Sequence, residues 1–130
     1  MTKSASVEAQ MSEILEQYGN SAREAINAAA KETADVTVQT LKNTSPTSPH
    51  HTKYARSWTV KEERQGSNVC DYIVHNARHY QLTHLLENGH VIRNKKGTYG
   101  RTKPIKHIAP AEEAGEMRFE LGVRARLRQI

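Results

Sequence analysis

The stretch from Val7 to Lys42 limits the possible folds more than any other part of the chain. Apolar or small residues recur as Val7, Met11, Ile14, Leu15, Tyr18, Ala22, Ala25, Ile26, Ala29, Thr33, Val36 and Thr40. Steps of three and four residues draw one stripe on an α-helix. A competing signal sits at Gly19-Asn20-Ser21. Gly19 can end a helix, and Ser21-Ala22-Arg23-Glu24 fits a capping box that starts another. The stripe keeps its phase across the gap, so the expectation is one helix over 7–42 with a weak point at Gly19. At about 1.5 Å per residue it runs some 50 Å, longer than a compact domain of this size is wide. Part of it is therefore expected to project or to pack against another subunit. Its many alanines permit close approach but bury little area each.

Downstream, the periods shorten. Ser45-Pro46-Thr47-Ser48-Pro49 ends helical structure, because each proline lacks an N–H and disfavours helix in the residue before it. Tyr54 to Val60 reads as a strand with Tyr54, Trp58 and Val60 on one face. Val69 to His75 reads as a second strand, and Gln65-Gly66-Ser67-Asn68 as the turn of a hairpin between them. His79 to Asn88 reads as a short helix in which Leu82, Leu85 and Leu86, at i, i+3 and i+4, form a packing face. Gly89 closes it where a left-handed residue is wanted. Glu87 is expected to face outward as a solvated carboxylate near the helix end, where its charge is unfavourable. His90 to Arg93 is a candidate third strand. Residues 93–106 carry Arg93, Lys95, Lys96, Arg101, Lys103 and Lys106 with no acid, and with Gly97 and Gly100 they read as a mobile basic loop. Ala109-Pro110-Ala111-Glu112-Glu113 opens a C-terminal helix striped by Phe119, Val123, Leu127 and Ile130. Gly115 and Gly122 are expected to weaken that helix by about 1 kcal/mol each.

Composition narrows the class. The 130 residues suit one domain spanning 1–130. No apolar run approaches a membrane span, and the N-terminus lacks the apolar segment of a signal peptide. Cys70 is the only cysteine, so an internal disulfide is excluded. The net charge of +5 is unevenly spread, with residues 1–43 at −2 and the rest at +7. Such a split suits an acidic partner, phosphate contact or subunit-to-subunit complementarity.

The histidines of "HYQLTHLLENGH" (79–90) invite a metal or catalytic reading, but their spacing disfavours it. His79 and His84 are five apart, about 140° around a helix, whereas a helical zinc pair needs one turn. Cys70 lies in a strand without an activating motif. The carboxylates are dispersed, and no phosphate-cradling glycine loop appears. The expectation is no catalytic, cofactor or metal residue. What remains is interaction: the basic loop can neutralise phosphates without reading bases, and Tyr99 can stack on one.

Four stretches in this order resemble a known family. They are Leu41-Lys42-Asn43-Thr44-Ser45-Pro46 closing a long helix, Lys53-Tyr54-Ala55-Arg56-Ser57-Trp58-Thr59-Val60, Tyr80-Gln81-Leu82-Thr83-His84-Leu85-Leu86-Glu87-Asn88-Gly89-His90, and His107-Ile108-Ala109-Pro110-Ala111-Glu112-Glu113. The last two are the more specific. The chain resembles the gp ten-like minor virion proteins of siphophages, also described as head–tail connector, neck or tail-completion proteins. It departs from them before Lys53, where Ser48-Pro49-His50-His51-Thr52 replaces the usual Thr-Gly pair. The resemblance implies an α+β fold: a long N-terminal helix, a small mostly antiparallel sheet, a short central helix and a C-terminal helix. It also implies no enzymatic activity and no cofactor. The implied partners are other head–tail junction or tail proteins and further copies of the same chain, with DNA close by and no membrane. The implied location is the virion neck or tail, reached from the host cytoplasm during assembly. A small basic nucleic-acid-binding protein is the alternative reading.

Overall fold

Backbone satisfaction and side-chain period account for most of the architecture. The structure is a computed structural model that describes residues 3–65 and 69–130. The elements in order are α1 (Lys3–Thr44), α2 (Lys53–Arg56), β1 (Trp58–Gln65), β2 (Val69–Asn76), α3 (Tyr80–Asn88), β3 (Val91–Asn94), β4 (Gly97–Arg101) and α4 (Ile108–Leu127). The fold is α+β, as expected.

The helix α1 is one element that passes through Gly19 without a break. A single glycine costs a helix only about 1 kcal/mol, less than the cost of two new termini. At about 1.5 Å per residue α1 spans roughly 60 Å. From Val7 to Tyr18 every residue is exposed, and packing begins further along, with Ala25, Ala29, Ala34, Val38 and Leu41 buried. Of the stripe read from the sequence, only Ala25 and Ala29 are buried; Ile26 is exposed, Thr33, Val36 and Thr40 are half-buried, and Ala34, Val38 and Leu41, outside that stripe, face the core instead.

β1 and β2 form an antiparallel hairpin in the register Trp58↔Asn76 to Gln65↔Val69. The turn expected at Gly66-Ser67-Asn68 lies outside the described residues. The strand expected from Tyr54 begins only at Trp58. Lys53–Arg56 instead makes a helical turn, with the Arg56 N–H donating to Thr52 O at 3.2 Å. The difference has a packing reason. Four residues along a strand cover about 13 Å, too far for ring contact, whereas one helical turn sets Tyr54 and Trp58 edge to face at 5.8 Å. Both belong to the core, with Val38, Leu41 and Ala111, and Val60, Val74, Leu86 and Ile108 pack against it.

The strand after Gly89 does not join this hairpin. β3 pairs antiparallel with β4 in a second two-stranded sheet. The stretch read as a loop over 93–106 is thus partly a hairpin arm, with Lys95 and Lys96 between its strands. Every residue of β3 and β4 is exposed.

The helix α4 packs antiparallel on α1. Ala111 meets the Leu41 end, Gly115 lies beside Thr33 and Thr37, and Gly122 lies beside Ala29. A Cβ added at Gly115 would stand 3.2 Å from Thr37 Oγ1, and one at Gly122 would stand 3.4 Å from the Ala29 Cβ. The glycines that weaken α4 as an isolated helix are thus its points of close approach to α1. Arg126 pairs with Glu32 across the same seam. The guanidinium's hydrogen bond and charge hold the Glu32 carboxyl below its ordinary value.

Candidate functional site

Two surfaces and one buried polar node organise the molecule. The node gathers residues far apart in sequence. Glu87, at the end of α3, is buried, contrary to its reading as a solvated carboxylate. Its Oε1 accepts the backbone N–H groups of His107 at 2.8 Å and Ile108 at 2.9 Å, and its Oε2 accepts that of Ala109 at 3.0 Å. The first N–H groups of a helix have no partner inside the helix, and His107 supplies no side-chain cap. Glu87 fills that place from another helix. Its charge opposes the dipole of α3, whose C-terminus it occupies, but complements that of α4. Burial pushes the Glu87 carboxyl up. The three backbone donors, with His107 beside them, outweigh that effect and hold it below its ordinary value.

The chain is led back to Glu87 by the residues after α3. Gly89 has φ +73°, and a Cβ there would fall 2.5 Å from Thr102 O. The segment after β4 crosses this glycine: the Thr102 N–H donates to His90 O at 2.8 Å, and the Ile105 N–H donates to Leu86 O at 2.8 Å. His107 is then buried with its Nδ1 2.8 Å from Ile105 O and 3.1 Å from Glu87 Oε1. Its Nε2 lies 2.8 Å from the Tyr54 hydroxyl. Ile105 O can only accept, so Nδ1 carries a proton, and in the neutral ring Nε2 then accepts from the Tyr54 hydroxyl. Nearby, the Trp58 indole N–H donates to Ser45 Oγ at 2.8 Å, and the Asn76 amide donates to Tyr54 O at 2.8 Å.

Carboxylate, imidazole and hydroxyl stand here in the order of a nucleophile relay. The environment runs the other way. Tyr54 is buried, and burial, with the Glu87 charge, pushes its hydroxyl up to about 12. An activated nucleophile needs the opposite shift and an open approach. The node satisfies buried polar groups and joins α2, α3 and α4. Cys70 is similar in kind: its thiol donates to Glu62 Oε1 at 3.2 Å, and burial pushes it up. Among the described residues no three His, Cys, Asp or Glu side chains gather to hold a metal ion.

The residues expected to matter are distributed differently. Of the leucines in α3, only Leu86 packs against the core; Leu82 and Leu85 are exposed. The helix is too short and too peripheral to bury a full face, and its anchors are Glu87 and Gly89. Of the six basic residues, Arg101 and Lys106 reach back to Asn88, to its backbone oxygen at 3.5 Å and its side-chain oxygen at 3.0 Å. Cations suit that helix C-terminus. Arg93, Lys95, Lys96 and Lys103 stand on the exposed hairpin and its continuation, with Tyr99 among them. The second surface is the bare half of α1, where Val7, Met11, Ile14, Leu15 and Tyr18 are between 50% and 68% exposed. No described helix is long and apolar enough to cross a membrane.

Sequence reasoning missed the roles of Glu87, His107 and Tyr54. The available signal was the unfavourable charge of Glu87 at the end of its own helix, which implied a second helix to receive it.

The profile of a family described as "Bacteriophage HK97-gp10, putative tail-component" matches residues 7–89, from the first bare turn of α1 to the glycine that closes α3. No curated protein and no solved structure matches the chain. The stretch His107 to Glu113 lies beyond the matched residues, yet it is bound to them through Glu87. A match to well over half of the chain, carrying the long helix, the first hairpin and the Glu87-Asn88-Gly89 close of α3, establishes that this chain belongs to the HK97-gp10-like family of phage tail components.

Proposed function

We propose that this protein is a structural component of the head–tail junction of a tailed phage, where it completes the neck or tail by self-assembly into a ring and by contact with neighbouring virion proteins. The observation that carries this reading is that the family match includes the bare half of α1. A stripe of large apolar residues held out from the core is what an assembling subunit presents, because an isolated monomer gains nothing from exposing it. Head-to-tail contacts of identical subunits close into rings when the rotation permits. The buried node needs no substrate, and the reading requires no enzymatic step. The test is removal of this chain from the phage that encodes it. Filled heads and tails that remain unjoined are the expected result. Normal infectious particles would overturn the proposal.

A second reading is favoured by the β3–β4 hairpin. Its exposed cations, with no acid among residues 93–106, suit the backbone of nucleic acid. In the ring this surface faces the DNA path. As a primary activity, nucleic-acid binding predicts a salt-sensitive complex with duplex DNA formed by the free protein.

A further inference from the structure

The bare half of α1 has a counterpart elsewhere on the molecule. Between α1 and the outer face of α4 runs an open groove of about 770 Å³ whose walls include Ala29, Ala114, Met117, Leu121, Gly122 and Ala125. Met117 and Leu121 are each 62% exposed. We infer that the projecting segment Val7–Tyr18 of one copy seats in the α1/α4 groove of a second copy, making the repeated contact of the ring proposed above, on which this inference rests.

Three observations select a second copy as the occupant. The first is that the chain cannot cover its own groove. Ala29 lies on the same unbroken helix as Tyr18, so the stripe is carried away from the groove along the helix axis. The second is length. Val7 to Tyr18 spans roughly 17 Å of helix, and the groove wall from Ala114 to Gln129 spans roughly 22 Å. The third is charge. Residues 7–20 hold Glu8, Glu13 and Glu16 and no cation, giving −3, while residues 117–130 together with the groove-lining Glu32 hold Arg118, Arg124, Arg126 and Arg128 against Glu120 and Glu32, giving +2. Opposite charges at the two faces steer the helix into the groove, and the like charges of two bare helices oppose a symmetric pairing of stripe on stripe. The contact is heterologous, so each subunit gives its helix to one neighbour and receives a helix from the other.

Cysteine cross-linking of the full-length protein tests this directly. The parent, whose one cysteine is the buried Cys70, sets the background. Leu15→Cys and Leu121→Cys are each expected to remain at background alone and to give a cross-linked dimer when mixed. The double variant should give a ladder of successive multimers. Arg118→Glu with Arg128→Glu should thin that ladder about tenfold, as expected when a few partly exposed charge pairs are removed. Adding Glu13→Lys and Glu16→Lys in the same chain should restore it. Absence of cross-links in both the mixture and the double variant overturns the assignment. So does a dimer of Leu15→Cys alone, which would show stripe-on-stripe pairing. If cross-links fail while removal of the chain still leaves heads and tails unjoined, the groove assignment falls and the virion reading stands. If cross-links form while particles lacking the chain are normal, the contact stands and the virion reading falls.

Discussion

Glu87 and His107 are twenty residues apart, and the Glu87 carboxylate accepts the His107 backbone N–H at 2.8 Å. Through this bond and its two neighbours, the last turn of α3 organises the first turn of α4. The segment between them, including the basic hairpin, is closed into a loop at its base. The long helix, the core and the hairpin are thereby given fixed relative positions.

Replacing Glu87 removes three charge-assisted hydrogen bonds, one from the buried His107 N–H and two from the part-buried N–H groups of Ile108 and Ala109. Glu87→Ala is expected to cost about 3–4 kcal/mol, and Glu87→Gln about half that, because the amide oxygen still accepts. Denaturant unfolding at neutral pH gives both values. A destabilisation below about 0.5 kcal/mol for the alanine variant, the range of a surface substitution, would contradict the cap.

The same node sets both ends of the pH profile. Glu87 is held below its ordinary value near 4.5, so its stabilisation is complete above that pH and disappears as pH falls through the lower folded value. Tyr54 is raised from 10 to about 12, so its stabilisation is complete below pH 10 and disappears as pH rises from 10 through about 12. Glu87→Gln should flatten the acid limb and Tyr54→Phe the alkaline limb in melting temperature against pH. Tyr72, also raised to about 12 by its hydrogen bond with Cys70 and by burial, leaves a residual alkaline decline in both parent and variant.

Gly89 is irreplaceable for two independent reasons, its positive φ and the carbonyl of Thr102. Gly89→Ala is expected to destabilise by about 2–4 kcal/mol, since a strained backbone alone costs about 1–3 and the clash adds to it. Equilibrium unfolding measures the cost. A neutral effect would mean that the return segment does not cross this residue.

Gly122 should distinguish close approach from simple helix weakness. Its added Cβ would stand 3.4 Å from the Ala29 Cβ, at ordinary contact, and 3.3 Å from Arg126 Nη1, where the end of a long side chain gives by a few tenths of an ångström. Gly122→Ala is expected to fall between neutral and about 1 kcal/mol stabilising, from helix propensity. Gly122→Leu overfills the α1/α4 seam and should cost about 1–3 kcal/mol. Equal effects of the two variants on thermal unfolding would argue against a tight seam.

The exposed cations of the hairpin should be dispensable for folding. Lys95→Glu, Lys96→Glu and Lys103→Glu together are expected to change stability by no more than about 0.5 kcal/mol per site. If this surface binds DNA, the same variant should lower the slope of log affinity against log salt by about 0.9 for each phosphate no longer neutralised. Titration of duplex DNA at several salt concentrations provides the readout. A parent protein without salt-dependent binding would rule out a DNA-binding role for the hairpin.

The sequence by itself determined the elements that depend on neighbours along the chain. The three-and-four stripe made α1 one helix, the prolines after Ser45 ended it, β-rich runs formed the first hairpin, and four motif stretches in order disclosed the family. Local pattern failed where a residue's partner was distant. The turn Lys53–Arg56 passed for a strand because Tyr54 and Trp58 share a face in either geometry, and only the core required their rings to meet. Leu82 and Leu85 have the spacing of a buried face, but α3 lies at the margin and no described element covers them. The basic stretch passed for a loop because the pairing of Val91–Asn94 with Gly97–Arg101 is a relation between segments, visible in neither alone. Glu87 was misread for the deepest reason. Local rules weigh a carboxylate against its own helix dipole, whereas its energy here comes from the N-terminus of another helix. Side-chain period is a property of the chain, but capping, close approach and the burial of charge are properties of what the fold brings alongside it.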